Sequence, residues 1–289
     1  MKTILYATDY SENSVAALKY AHAMSSKMNA KLEVVHVFDY PTMLDSLSLK
    51  SEDAFPDIEG DAYKKYNSKL SSFCKAHLDE ELDKINVTVA AIEDKSVVNG
   101  IVSKAKEVNA FLILTGMKGG SALREVIMGN TAKHLIKRSP CPVLSIPGDT
   151  SPKLIETIVY ATDFEEEDIG AIDKLTEVAK PFNAKIKIVH ISSLKETIGK
   201  EEMKAIEEKI HKQIEYPKLE VVILYSDDVF NDLKIYFGNS NADLIAMLER
   251  ESHGLASKIF HRDLVKRMES YGRIPLISFN AKNYSLFHF

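Results

Sequence analysis

Little in this chain invites a disulfide, a membrane or a nucleic acid. It has two cysteines in 289 residues, Cys74 and Cys141, too far apart for a local metal motif and too few for a disulfide framework. A reducing compartment fits that usage. There is no excess of positive charge, since the formal net charge is −5, so no basic footprint argues for nucleic acid. No apolar run approaches the roughly 18–20 residues of a membrane span. The N-terminal run MKTILYATDYS carries a single lysine and is broken by Thr8 and Asp9, which is too short for a secretory signal. These absences predict a cytoplasmic protein with no membrane and no nucleic-acid partner. The rest is ordinary globular composition, 45% hydrophobic and 27% charged.

What the chain does have is a repeat. KTILYATDY from Lys2 to Tyr10 returns as ETIVYATDF from Glu156 to Phe164. NAKLEVVHV from Asn29 to Val37 returns as NAKIKIVHI from Asn183 to Ile191, at the same offset. Two matches at one spacing mean a tandem duplication of a single unit. The joint falls in the turn-rich PGDTSP, Pro147 to Pro152.

Each unit alternates strand and helix patterns. In the first, Thr3–Ala7, Leu32–Val37, Val87–Ala91, Phe111–Thr115 and Val143–Ile146 read as strands. Ser14–Met28, Asp61–Asp83, Val97–Val108 and Thr131–Lys137 read as helices. Such an order predicts an α/β fold, a parallel sheet covered by helices on both faces. Residues 40–60 show no period and read as a long loop beside the site.

The chemistry concentrates in FLILTGMKGGSALREVIMGNT, Phe111 to Thr131. An apolar strand runs into a glycine turn, and a helical pattern opens at Ala132. Glycines allow sharp bends and close ligand approach, and a helix N-terminus offers free N–H groups with a partial positive charge. Together they make an anion cradle, with Asn130 or Thr131 capping the helix or donating to a phosphate oxygen. Lys118 and Arg124 flank the turn, either balancing phosphate charge or standing solvated at the surface. The spacing Gly116-x2-Gly119-x9-Gly129-Asn130-Thr131 is neither a Walker A loop nor G-x-G-x-x-G.

This spacing resembles the ATP-binding signature of the universal stress protein family, G-x2-G-x9-G followed by Ser or Thr, with Asn130 where the hydroxyl usually stands. The resemblance implies two tandem Rossmann-like units of the adenine-nucleotide α-hydrolase-like kind. Each would be a five-stranded, mostly parallel sheet flanked by helices, paired as an intramolecular pseudo-dimer. The units would span residues 1–148 and 153–280, with a tail at 281–289. The family pairs units through their last strands, so Val143–Ile146 and Leu276–Phe279 are expected to meet, and further homodimerisation is open. By the same resemblance the nucleotide is ATP, or ADP or AMP, with Mg²⁺ or Mn²⁺ carried by the phosphates. Its site comprises Ala7, Thr8, Asp9, Val37, Gly116, Lys118, Gly119, Gly129, Asn130 and Thr131. The implied role is that of a stress-response regulator with an unidentified protein partner and at most weak ATP hydrolysis. A slow nucleotide-processing enzyme and a nucleotide-free scaffold are the alternatives.

Position supports part of this. Asp9 follows the first strand at the edge where open α/β sheets take ligands, although an aspartate there also serves a turn into a helix. His36 and His190 occupy matching strand positions and read as locally bonded rather than catalytic, since no Ser, Cys or second His stands at triad spacing. The second unit keeps Asp163 but loses the signature: Leu248, Glu251 and His261 stand where the first has Gly116, Gly119 and Gly129. A triphosphate is expected to bind poorly there, and Arg250 is a candidate for another anion or for the surface.

Overall fold

The structure is a computed structural model of the whole chain, and it describes residues 1–39, 58–79, 82, 85–117, 129–194, 200–250 and 274–284. In the first half, β1 (Thr3–Ala7), α1 (Glu12–Lys27), β2 (Lys31–Phe38), α2 (Ile58–Leu78) and β3 (Val87–Glu93) are followed by α3 (Val97–Glu107), β4 (Leu112–Gly116), α4 (Asn130–Arg138) and β5 (Val143–Ile146). The second half repeats the order with β6 (Thr157–Ala161), α5 (Glu166–Ala179), β7 (Lys185–Ser192), α6 (Lys200–Gln213), β8 (Leu219–Tyr225), α7 (Val229–Asn239), β9 (Leu244–Glu249) and β10 (Leu276–Asn280). Most of residues 40–60 lies outside the described residues, and α2 begins at Ile58 and ends at Leu78, earlier at both ends than the sequence pattern suggests.

The ten strands among the described residues form one sheet in the order β3-β2-β1-β4-β5-β10-β9-β6-β7-β8. Every pairing is parallel except β5 with β10. There Leu144 lies opposite Ile277, flanked by Ser145–Leu276 and Val143–Ser278. The registers place equivalent residues of the two halves symmetrically about the Leu144–Ile277 pair.

The sheet separates two apolar layers, and each continues across both halves. One packs Tyr6, Val34, Leu144, Tyr160 and Ile277 beneath α1, α2, α5 and α6. The other packs Leu5, Val35, Ile113, Val143 and Leu276 beneath α3, α4 and α7. Strands buried on both faces explain the unbroken apolar runs of β1, β4 and β9. Cys74 and Cys141 are free and buried, and burial pushes their thiols up to about 12 and about 11, so both stay protonated and unreactive near neutrality.

Candidate nucleotide site

In each half the strand order reverses at the first strand, between β1 and β4 or between β6 and β9. Crevices at such reversals, outside the carboxyl ends of the strands, are where open α/β sheets hold ligands. In the first half this is a cleft of about 250 Å³. Its floor is the end of β1, its near wall the end of β2, and its far end the first turn of α4.

The β2 wall presents main chain. Pairing with β1 stops at Ala7–Val35, with a last bond from Thr8 N to Val35 O at 3.0 Å, while pairing with β3 runs on to Phe38. Successive residues of a strand turn their N–H and C=O to opposite neighbours. Val35 faces β1 and Phe38 O accepts from Asp94 N on the β3 side, so Val37 directs both its N–H and its C=O towards the space that β1 has vacated. A donor and an acceptor side by side on one residue suit the edge of a heterocyclic base. Val97, half exposed, and Ile101 supply an apolar wall beside it.

The far end takes its positive character from a helix terminus. α4 is capped by Gly129 in extended conformation, with no side-chain bond to the first turn. Asn130 and Thr131 are therefore the first helical residues rather than the cap, which corrects the capping alternative of the sequence reading. With glycine at the cap, the leading N–H groups and the positive end of the helix dipole face the cleft. Lys118 and Gly119 fall outside the described residues, as do Ser121 and Arg124.

Gly116 serves packing. A Cβ on it would stand 3.2 Å from Asn13 O and 3.5 Å from Ser14 Cα, so its lack of a side chain lets the first turn of α1 close onto β4. Thr8 is 6% exposed and fully engaged, donating to Ser14 Oγ at 3.2 Å and accepting from Tyr10 N at 3.0 Å. Asp9 lies at the cleft mouth and accepts from Ser11 N at 3.0 Å, forming the turn into α1. Ala7 lines the floor. His36 Nδ1 lies 2.8 Å from Thr8 O, and its ring packs against Tyr10 and Tyr66 on the α2 face. That is the local bonding expected of it.

Among the contributors that went unrecognised in the sequence are Ser14, Val97 and Ile101. Val97 and Ile101 sit four apart on α3, a spacing that reads as core but here opens onto the cleft.

A sequence model of the universal stress protein family matches residues 1–147, half of the chain. This chain belongs to the universal stress protein family. A putative universal stress protein of Staphylococcus aureus strain USA300 is 26% identical over 176 residues, 57% of this chain and 96% of that protein. Among solved structures, a universal stress protein from Archaeoglobus fulgidus DSM 4304 superposes with a TM-score of 0.69 at 20% identity, covering 96% of this chain and 98% of the other. A putative universal stress protein from Pseudomonas aeruginosa UCBPP-PA14 gives 0.62 at 14% identity, covering 97% and 93%. At those identities the structural matches establish the fold.

The second half of this universal stress protein has a crevice at the matched strand ends, and about 30 Å³ is open there among the described residues. Arg250, expected to bind an anion or lie at the surface, instead points inward. Its guanidinium contacts Asp168 Oδ2 at 3.1 Å through Nη2 and Glu165 Oε2 at 3.2 Å through Nε. Asp163 lies 3.8 Å from His190 Nδ1, and that histidine is also 2.9 Å from Thr162 O.

Proposed function

We propose that the first half binds an adenine nucleotide, ATP in preference to ADP or AMP, and that this universal stress protein acts as a nucleotide-dependent regulator in the stress response. The observation that carries the reading is the crevice itself. It joins a free main-chain donor–acceptor pair at Val37, an apolar wall at Val97 and Ile101, and an uncapped helix N-terminus at Gly129–Thr131. The base would lie against Val37, the ribose near Asp9, and the phosphates at α4 with Lys118 and Gly119. The residues present fit a metal that arrives with its ligand. Among the described residues no group of three or more His, Cys, Asp or Glu gathers to hold one, so Mg²⁺ or Mn²⁺ would be carried by phosphates and water, supplying charge neutralisation.

The test is calorimetric titration of nucleotide-stripped protein with ATP and Mg²⁺. Micromolar affinity, about −8 kcal/mol, at one site per chain is expected. Absence of binding by ATP, ADP and AMP alike would reject the reading, and two equal sites per chain would reject the assignment to the first half.

A further inference from the structure

The two crevices differ at several matched positions, and one pair bears on what fills them. Ser14 in the first half corresponds to Asp168 in the second by the repeat offset, while Tyr6, Thr8 and His36 correspond to Tyr160, Thr162 and His190 unchanged. In the first half, Tyr6 Oη donates to Ser14 O at 2.5 Å and the Ser14 hydroxyl donates to Ser11 O at 2.6 Å. In the second, the Asp168 carboxylate collects donors: Tyr160 Oη at 2.6 Å, Thr162 Oγ1 at 2.8 Å, Glu165 N at 3.0 Å and Arg250 Nη2 at 3.1 Å. Glu167 Oε2 lies 3.9 Å from the same guanidinium nitrogen. Asp168 is 2% exposed, and the Arg250 side chain 13% exposed, although it follows the carboxyl end of β9.

We infer that the second crevice carries its own occupant: the Arg250 guanidinium, seated on Asp168, fills the space that a ligand takes in the first half, and this pair limits the chain to one nucleotide. The inference rests on the nucleotide reading of the first crevice. Its physical core stands apart from that reading, because it concerns what fills the second crevice. A buried guanidinium bonded to the buried Asp168 carboxylate, with Glu165 at 3.2 Å and Glu167 at 3.9 Å, does not leave readily, since departure strands buried negative charge. The Ile191 main chain occupies the place that Val37 has in the first half, with β6–β7 pairing ending at Ala161–Val189 and Thr162 N bonded to Val189 O at 2.9 Å. The base-reading wall is therefore intact behind the plug. What the second half has lost at the nucleoside end is room.

Two measurements test this. The first is photolabelling with 8-azidoadenosine, competed by adenosine, with labelled peptides mapped by mass spectrometry. A nucleoside is used because it does not require the glycine turn. Wild type is expected to label in the first half alone, and the double variant Asp168→Ser with Arg250→Ala in both halves. A double variant labelled only in the first half overturns the inference and leaves the nucleotide reading standing. Labelling of the wild-type second half also overturns it. Wild type labelled in neither half counts against the nucleotide reading, and the second measurement then decides alone. Arg250→Ala should lower Tm by roughly 5–10 °C. Millimolar guanidinium chloride should restore part of that loss, where equal sodium chloride does not, by seating a free guanidinium on Asp168. Equal response to the two salts overturns the plug. If Arg250→Ala does not fold, Arg250→Lys takes its place, with the same comparison of salts.

Discussion

Transplanting the second half's carboxylate into the first provides the sharpest check on the proposed site. Ser14→Asp places a carboxylate at the wall of the open cleft, in the first turn of α1. The fold should accept it. The second half shows the same residue type at the matched position, satisfied by a tyrosine, a threonine and a main-chain N–H, and Tyr6, Thr8 and the Ser11 N–H occupy the same places in the first. None of the described residues lining this cleft is an arginine, so the charge has no counterpart of Arg250 among them. A compact cleft of about 250 Å³ is about 8 Å across, so one unbalanced phosphate charge lies within that distance, and at an effective dielectric of 20–40 the repulsion is about 1–2 kcal/mol. That converts to a loss of about 5- to 30-fold in ATP affinity. Ser14→Asn has similar bulk without charge and should lose much less. Adenosine affinity should respond equally to the two variants, and the extra loss in the aspartate variant should shrink as salt is raised. Calorimetry with ATP, AMP and adenosine at two ionic strengths reads all of this. Equal loss for Asp and Asn, or a loss independent of phosphate number, would refute the placement of the phosphates in this cleft.

Three further outcomes follow from packing. The Tyr10 hydroxyl is buried with no hydrogen-bond partner among the described residues, and the second half has Phe164 there; Tyr10→Phe should raise stability by about 1 kcal/mol in urea melts, and a comparable loss would show that the hydroxyl has a partner after all. Ile277 is fully buried at the centre of the β5–β10 pairing, so Ile277→Ala should cost about 2–5 kcal/mol and Leu144→Ala, its opposite number, a similar amount; a cost under 1 kcal/mol for either would mean the pairing does not hold the halves together. Burial alone would raise the Glu33 carboxyl, but Lys31 at 3.0 Å and Lys104 at 3.1 Å hold it below the usual carboxylate range. A depressed folded pKa stabilises above the unfolded value and loses that stabilisation as pH falls through the folded one, so stability should decline in the acid range below about pH 4.5 and Glu33→Gln should flatten that decline; an identical pH slope in the variant would refute it.

The frame was readable because its causes are local. Alternating apolar strands and amphipathic helices fix β1 to β5 within a residue or two, and the repeated KTILYATDY and ETIVYATDF mark the two central strands directly. Strand ends alone put Asp9 and Gly116 at this edge of the sheet, and both line the cleft, yet their contacts were not legible. Gly116 answers to Asn13 and Ser14 of α1, about a hundred residues away in the chain, and spacing within a motif says nothing of that. Arg250 was unreadable for the same reason: its partner Asp168 is on another element. One signal was available. Aligning the halves shows Ser14 becoming Asp168 while an arginine appears after β9 at the place of Lys118, an acid and a stronger hydrogen-bonding cation changing together. Paired changes across a duplication point to contact more sharply than either residue alone.

The seam explains why a half that has closed its own crevice remains in the chain. β5 has a free edge unless something pairs with it, and its residues are fully apolar or uncharged, Val143, Leu144, Ser145 and Ile146, with no lysine or proline to discourage association. β10 covers that edge antiparallel, and Asn280 and Asn283 fasten it by donating to Lys137 O at 2.8 Å and Ser139 O at 3.0 Å, at the C-terminal end of α4. The other end of α4 is the proposed phosphate cradle. One nine-residue helix thus touches the proposed ligand at its first turn and the second half at its last. On this reading the second half needs its outer strand and its rigid packing, both of which the Arg250–Asp168 pair preserves, and has no need of a nucleotide. A shift of α4 on binding would be felt at Asn280 and Asn283 first. Asn280→Ala should therefore leave ATP affinity within about twofold, while abolishing any nucleotide-dependent change in amide exchange of β10. If exchange at β10 responds to ATP equally in the variant and the wild type, α4 is not the element that links the halves.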